Sequence, residues 1–386
     1  MLPRRTWLLR LGPPVAAVLA ATLLADLPAL AGAPTSAARG VVAGCGDLAT
    51  ATPAPGSWWT SRPSLADDGT LVGWKLRAAS PGAPEPIVLD LPAAATASGP
   101  VHGVVALAID EGAGSRVELL STAGWCSAVV YRSSDVVRRA VLDPSGRWVY
   151  FHLVARDGRA DLGTWRLPLG GADGPVGVLP PFDPSTGAGR RVGRVWSTDL
   201  SFDVDGDRLA VQSCGVVECA TRVVDVSATT LSIVATLAGP GQGTLIGFDR
   251  ERIVTFAACG GRPCPLQVTV ISSGRMSVPL EDIVDAATIR GPNGLIAVAT
   301  LAEAGAARTI SVDVATDRLL RTSDSLAGRL APIGPAAAAG VEVGSGRVTL
   351  FPTTAGGAIS PDLDPGQALA FDPLTDRTFP AGQEAP

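Results

Sequence analysis

Two cysteine pairs set a fixed distance apart constrain this chain more than any other feature. QSCGVVECATRVVDV (212–226) holds Cys214 and Cys219, AACGGRPCPLQVTVI (257–271) holds Cys259 and Cys264, and corresponding cysteines lie 45 residues apart in both cases. A recurrence of that length in a strand-rich chain marks a repeated unit of about four strands. The cysteines then occupy the same corner of successive units.

Other features continue the interval. A small polar residue and a glycine precede an apolar run at Asp68-Gly69, Ser145-Gly146, Asp205-Gly206, Asn293-Gly294 and Ser345-Gly346. Glycine supplies the positive φ of a tight turn while its polar neighbour bonds the local backbone, so each is a hairpin signal leading into an alternating strand. RVVDVSATT (222–230) is echoed by TISVDVATD (309–317), with Asp225 and Asp313 88 residues apart, two intervals of 44. The chain divides accordingly into units 57–95, 100–132, 133–182, 194–240, 243–281, 283–327 and 329–380. That is an all-β fold of seven units, or six, because the second is short and the last, with PAAAAG and the Pro/Gly-rich stretch from Pro352 to Gly366, is the least regular.

LDPSGRWVYFHLVARDGRADLGTWRLPLGG, residues 142–171, resembles the repeat of TolB-type and WD-repeat-like β-propellers. Pro144-Ser145-Gly146, and again Pro292-Asn293-Gly294, match the turn that enters an apolar strand in that family, although no Trp-Asp dipeptide ends the strands. The resemblance implies a β-propeller over residues 57–380. It implies no activity, because propellers host enzymes, ligand binders and scaffolds alike.

If each cysteine pair flanks a hairpin loop, opposed residues of the two strands bring the Cα atoms within disulfide range. Bridges Cys214–Cys219 and Cys259–Cys264 would each contribute about 2 kcal/mol by loop closure, and the remaining pair, Cys45 with Cys126, about 4 to 5 kcal/mol. The alternative is one zinc held by four thiolates at about 2.3 Å each, which hairpin ends of neighbouring units, diverging from one another, do not favour. A redox Cys-x-x-Cys is absent. The expectation is disulfides, with no metal and no cofactor.

Residues 1–31 read as an export signal: a basic start (MLPRRTWLLR), an apolar run (PPVAAVLAATLLA) and a small-residue cleavage site at Ala29-Leu30-Ala31. Arg4-Arg5 also resembles a twin-arginine signal. Val42-Ala43-Gly44-Cys45 resembles a lipoprotein box, but it lies well beyond the apolar run, and lipidation would leave an odd number of cysteines. Residues 32–56 then form an Ala/Pro-rich linker and 381–386 a frayed tail. The expected location is extracytoplasmic: secreted, periplasmic or attached to the cell envelope. Membrane contact is expected only through an uncleaved signal or a lipid anchor. The formal charge of -5 carries no basic footprint for nucleic acid.

Local catalytic signatures are missing from the sequence. His102 and His152 are the only histidines, both in or beside apolar strands, and there is no Gly-x-Ser-x-Gly elbow. Asp199, Asp203, Asp205 and Asp207 in DLSFDVDGD invite a calcium reading, but the glycine falls before Asp207 and no Glu closes the loop, so a solvated hairpin turn is expected. GPGQG (239–243) lacks the Lys-Ser/Thr of a phosphate loop and reads as a linker. Trp58 and Trp59 are candidates for a ligand face, while the other tryptophans are expected to pack between units. The function expected is that of an exported, non-enzymatic scaffold for a protein or envelope ligand. The alternative is a glycan-acting hydrolase or lyase whose carboxylates come from separate units.

Overall fold

The computed structural model describes residues 58–352, apart from several loop stretches of which 183–196 is the longest, together with residues 368–369. The export signal, the linker, Cys45, Cys126, Cys259, His102 and the tail 381–386 lie outside the described residues. Among those described there are strands and turns and no helix.

Successive sheets are antiparallel meanders. The second unit runs Ala95–Ala97, Val104–Asp110, Ser115–Ser121, Ser127–Ser133; the third Val136–Leu142, Trp148–Val154, Asp161–Pro168, Val176–Leu179; the fourth Ser197–Phe202, Arg208–Cys214, Glu218–Asp225, Ser232–Pro240. Strands Trp58–Leu65, Leu71–Ala79 and Ile87–Pro92 make a first sheet whose fourth member is Ala368–Leu369, paired with Thr60 and Ser61. The leading strands of successive units touch in sequence order, from Ala95–Ala97 round to Ala327–Pro332 and on to the returning pair. Residues near the C-terminal end thus close the succession onto its beginning.

Seven strands from Thr244–Phe248 to Arg318–Ser323 form one sheet through the sixteen-residue strand Met276–Gly291. Its first half pairs with Cys264–Val270 and its second with Gly294–Glu303, and Ile283 takes part in both ladders, opposite Cys264 and Leu301. Asp282, just before this handover, has φ 56°, a left-handed backbone that a short polar side chain tolerates better than a branched one. The fifth and sixth units therefore meet at the residue where the sequence places their boundary. Ala327–Pro332, Ala337–Glu342 and Val348–Pro352 form a three-stranded sheet after them.

Several expectations need correction. The second unit is a complete four-stranded meander, because Ala95–Ala97, outside the expected span, supplies its leading strand. Residues 368–369, assigned to the last unit, pair with the first. The polar-glycine turns are not one series: those at Gly146, Gly206 and Gly294 join the first and second strands of their units, whereas 68–69 and 345–346 fall between strands that sit elsewhere in the order. Turn chemistry reports a tight reversal without saying which reversal it is.

The second strand of a unit is also not half-buried. Val104–Asp110 is buried at every position but the last, and Trp148–Val154 at every position but the first. Each lies inside its sheet and is covered on both faces by neighbouring units, so apolar residues run on without alternation. Tyr131 and Phe151, from adjacent units, stack with centroids 4.5 Å apart in the core, and burying each ring contributes about 2 to 3 kcal/mol.

Candidate functional site

The carboxylates at the first reversal of the third, fourth and fifth units act on backbone. Asp143 accepts from the amide of Trp148 at 2.6 Å and of Ser145 at 3.3 Å; Asp203 accepts from Arg208 at 3.1 Å; Asp249 accepts from Glu251 at 2.8 Å and Arg252 at 2.7 Å. In the third and fourth units the backbone repeats as well, with Gly146 N donating to Asp143 O and Gly206 N to Asp203 O. Gly206 has φ +79°, and a Cβ there would come within 2.8 Å of the Pro144 ring. The two reversals therefore pack on one another, and at this position glycine is required both by backbone and by space.

This is what becomes of the acidic run. Asp203 is buried, and burial pushes its carboxyl above the usual value against the N–H groups that bond it. Asp207 pairs with Arg250 at 2.5 Å and Asp205 lies 3.4 Å from the same guanidinium. Asp199 stands apart, opposite Gln212 within the sheet. Among the described residues no group of three or more His, Cys, Asp or Glu is placed to hold a metal ion.

A second cluster joins the third and fourth units, and sequence reasoning missed most of it. His152 is 0% exposed; its Nδ1 lies 2.9 Å from Thr164 Oγ1 and its Nε2 3.0 Å from Asp161 Oδ1. Asp161 accepts from the amides of Gly163 at 2.8 Å and Phe182 at 3.0 Å. Arg222, on the third strand of the fourth unit, donates to Pro180 O at 2.5 Å, lies over the Phe182 ring at 3.8 Å and stands 3.7 Å from Asp161 Oδ2.

Burial alone would raise the Asp161 carboxyl, but His152 beside it and the two amides outweigh that and hold it at about 2. Burial lowers Arg222 to about 10, with Asp161 opposing. Asp161 and Arg222 are opposite charges in a low-dielectric site, where each offsets part of the cost of burying the other. Asp161 and Arg222 hold residues 180–182, and the side chains of His152, Asp161 and Arg222 are all buried.

The signal for this cluster was weak. His152 is expected as a strand residue with a bonded ring, and it is one. Arg222 sits in ATRVVDV between Thr221 and Val223, both buried, so neither face of the strand marks it as the interior charge.

Cys214 and Cys219 are register partners across the second reversal of the fourth unit and are disulfide-bonded. Cys264 opens the strand after the corresponding reversal of the fifth unit; it too is disulfide-bonded, with its partner outside the described residues. Trp58 and Trp59 begin the first described strand, at the end away from its reversal into Leu71–Ala79. The tryptophan pair and the cysteine corner therefore sit at opposite ends of their strands and do not form one site. Trp165 packs in the core, and Trp148 lies half-buried beneath the Arg166 guanidinium, 4.4 Å from its ring.

No family model matches the sequence, and no curated protein matches it. Solved structures do. The chain is similar to puromycin hydrolase with a TM-score of 0.50 at 14% identity, over 86% of this chain and 56% of that one. It is similar to TolB from Acinetobacter baumannii with a TM-score of 0.42 at 14% identity, over 68% and 61%. It is also similar to an oligogalacturonate lyase in complex with manganese, with a TM-score of 0.44 at 11% identity, over 80% and 85%. The chain spans less than two thirds of the first two proteins. At such identities the likeness concerns fold. Together with the succession of four-stranded meanders and the closing pair 368–369, it gives an all-β propeller.

Proposed function

We propose that this chain is an exported, non-enzymatic β-propeller of seven blades that holds a protein or cell-envelope ligand on the face carrying its cysteine corners. The observation that supports this reading is the placement of its chemistry-bearing groups. His152 and Asp161 are enclosed, at 0% and 3% side-chain exposure, and the corner carboxylates bond turn amides. What remains for recognition is the loops.

Two of those loops, 214–219 and the one ending at Cys264, follow the same reversal of adjacent units and are bounded by disulfide-bonded cysteines. A pinned loop loses less conformational entropy when it binds, so a cross-linked corner is a suitable base for a recognition surface. Disulfides also form and persist where the environment is oxidising, which fits the export signal read in residues 1–31.

The test places a photo-cross-linking side chain at Val216, on the cysteine corner, or at Ser145, on the other face, and exposes each protein to bacterial envelope fractions. A discrete adduct from position 216 and none from 145 is the expected result. Turnover of oligosaccharide or peptide substrates by the purified chain would overturn the non-enzymatic reading in favour of carboxylates contributed by separate blades.

A further inference from the structure

Arg222 enters the interface between the third and fourth units with one edge of its guanidinium unused. Nη1 donates to Pro180 O at 2.5 Å, whereas Nε and Nη2, the edge that carries two parallel N–H groups, are enclosed and have no hydrogen-bond partner among the described residues. Asp161 does not fill that edge. Its Oδ1 accepts from Gly163 N and faces His152 Nε2, its Oδ2 accepts from Phe182 N, and Arg222 Nη2 stands 3.7 Å away, beyond hydrogen-bond range. The two charges show the same asymmetry. Against burial, His152 and two amides hold the Asp161 carboxyl at about 2, whereas at Arg222 burial outweighs Asp161 and lowers the guanidinium to about 10. A cation only 4% exposed is thus left with its best-aligned pair of donors unmet.

Two hydroxyls on the same face of the fourth unit share this condition. Thr198 and Ser213 are register partners, and Ser213 lies opposite Ala220, two residues before Arg222 on its strand. Side chains alternate along a strand, so Thr198, Ser213, Ala220 and Arg222 all face the third unit, where Ala220 packs with Val154 and Phe182. The Arg222 guanidinium lies 3.8 Å over that same Phe182 ring. Thr198 Oγ1 and Ser213 Oγ, at 7% and 0% residue exposure, have no partner among the described residues and do not bond each other. Paired polar side chains in other rows do close on one another: Thr300 with Thr309 at 3.4 Å, and Gln212 with Thr221 at 3.3 Å. The next rows on the face are Leu200–Val211–Arg222 and Phe202–Leu209–Val224. Thr198–Ser213–Ala220 is the smallest of the three, so the face leaves most space where these donors converge.

We infer that this interface binds one small oxyanion, a carboxylate or inorganic phosphate, across the Nε–Nη2 edge of Arg222, with Thr198 Oγ1 and Ser213 Oγ donating to the same oxygens. A fork of parallel N–H groups matches two oxygens of such an ion, which neither a halide nor a single water molecule offers. Its charge completes the neutralisation of a buried cation that the carboxylate at 3.7 Å offsets only in part. The site is enclosed, so the ion is held as part of the folded interface and apart from the loops assigned to recognition.

Thermal midpoints of the purified chain, titrated with sodium formate, sodium phosphate or sodium chloride at matched ionic strength, test this. With formate or phosphate the midpoint is expected to rise by a few degrees along the mass-action curve of one site, and the more effective of the two gives the class of ion; chloride sets the baseline. Phosphate also stabilises folded proteins by exclusion from their surfaces, so the decisive comparison is between parent and variants. Ser213→Ala removes a hydroxyl that no described group bonds, and Arg222→Lys keeps a cation beside Asp161 without its fork; each is expected to lose at least half of the parent's shift. Ser213→Ala breaks no bond within the protein, and it carries the test alone if Arg222→Lys does not fold. No shift in the parent beyond that of chloride, or an undiminished shift in Ser213→Ala or in folded Arg222→Lys, would overturn the inference and leave the enclosed atoms to water.

Discussion

The junction between the fifth and sixth units and that between the third and fourth join similar sheets by different means. At the former the chain runs straight through Met276–Gly291, so the backbone itself sets the spacing. The contacts around it are apolar (Ile283, Ala286, Leu295), with a bond between the two units from Thr288 Oγ1 to Ile246 O at 2.6 Å. At the latter the chain leaves after Leu179 and begins its next strand at Ser197. Asp161 and Arg222 hold the first residues of that connection through Phe182 N and Pro180 O. Ordering a long connection costs entropy that a continuous strand never incurs. Directional bonds from buried charges offset that cost at one junction, and the other has no such cost to offset.

The largest effect that could break this comparison is at Arg222. Arg222→Ala leaves the buried Asp161 carboxylate without its cation, and a loss of about 3 to 5 kcal/mol is expected from urea midpoints. A loss below about 1 kcal/mol, the range of an exposed pair, would mean that this junction too rests on apolar packing.

The continuous junction is sensitive to volume. A Cβ on Gly247 would lie 2.0 Å from Thr288 Oγ1, so Gly247→Ala is expected to cost about 1 to 3 kcal/mol. Adding Thr288→Ala should recover part of that in thermal midpoints. If the two substitutions simply add, the crowding assigned to this pair is wrong.

Acid separates the junctions next. Asp161 is held at about 2, below its ordinary 3.8, so the stability it contributes is fully present above about pH 4 and is lost as pH falls through 2. That is about 2 kcal/mol. Stability measured between pH 5 and pH 2 should fall less steeply in Asp161→Asn than in the parent. Equal slopes would show that Asp161 titrates normally. The smallest effect is at a corner: Asp143→Ala removes the acceptor for Trp148 and Ser145 and is expected to cost about 1 kcal/mol in the same urea assay.

Much of the repeat was legible because its signals are local. The cysteine interval and the turn residues around Gly146 and Gly206 depend on neighbours a few positions away, and the boundary at 282 falls where one strand changes partners. The contacts that close the structure were not legible. Ala368–Leu369 reaches back to Thr60 and Ser61, and nothing in an alanine and a leucine names a partner some 300 positions earlier. The same holds for the Asp161–Arg222 contact, whose members are ordinary strand residues until two sheets face each other. Sequence reasoning placed His152 in its strand and left Asp161 and Arg222 unremarked. The solvated turn expected of the acidic run holds for Asp205 and Asp207, whereas Asp199 lies within a strand and Asp203 is buried, and Arg250, the partner from the next unit, was not foreseen.

The central claim is that an exported, disulfide-pinned repeat presents its loops from a rigid frame. Non-reducing peptide mass mapping of the protein recovered from a bacterial host tests it most directly. The account predicts one bridge joining Cys214 to Cys219, a second joining Cys264 to Cys259, and an N-terminus near Gly32. Free thiols at those four positions, with the leader still attached, would contradict it.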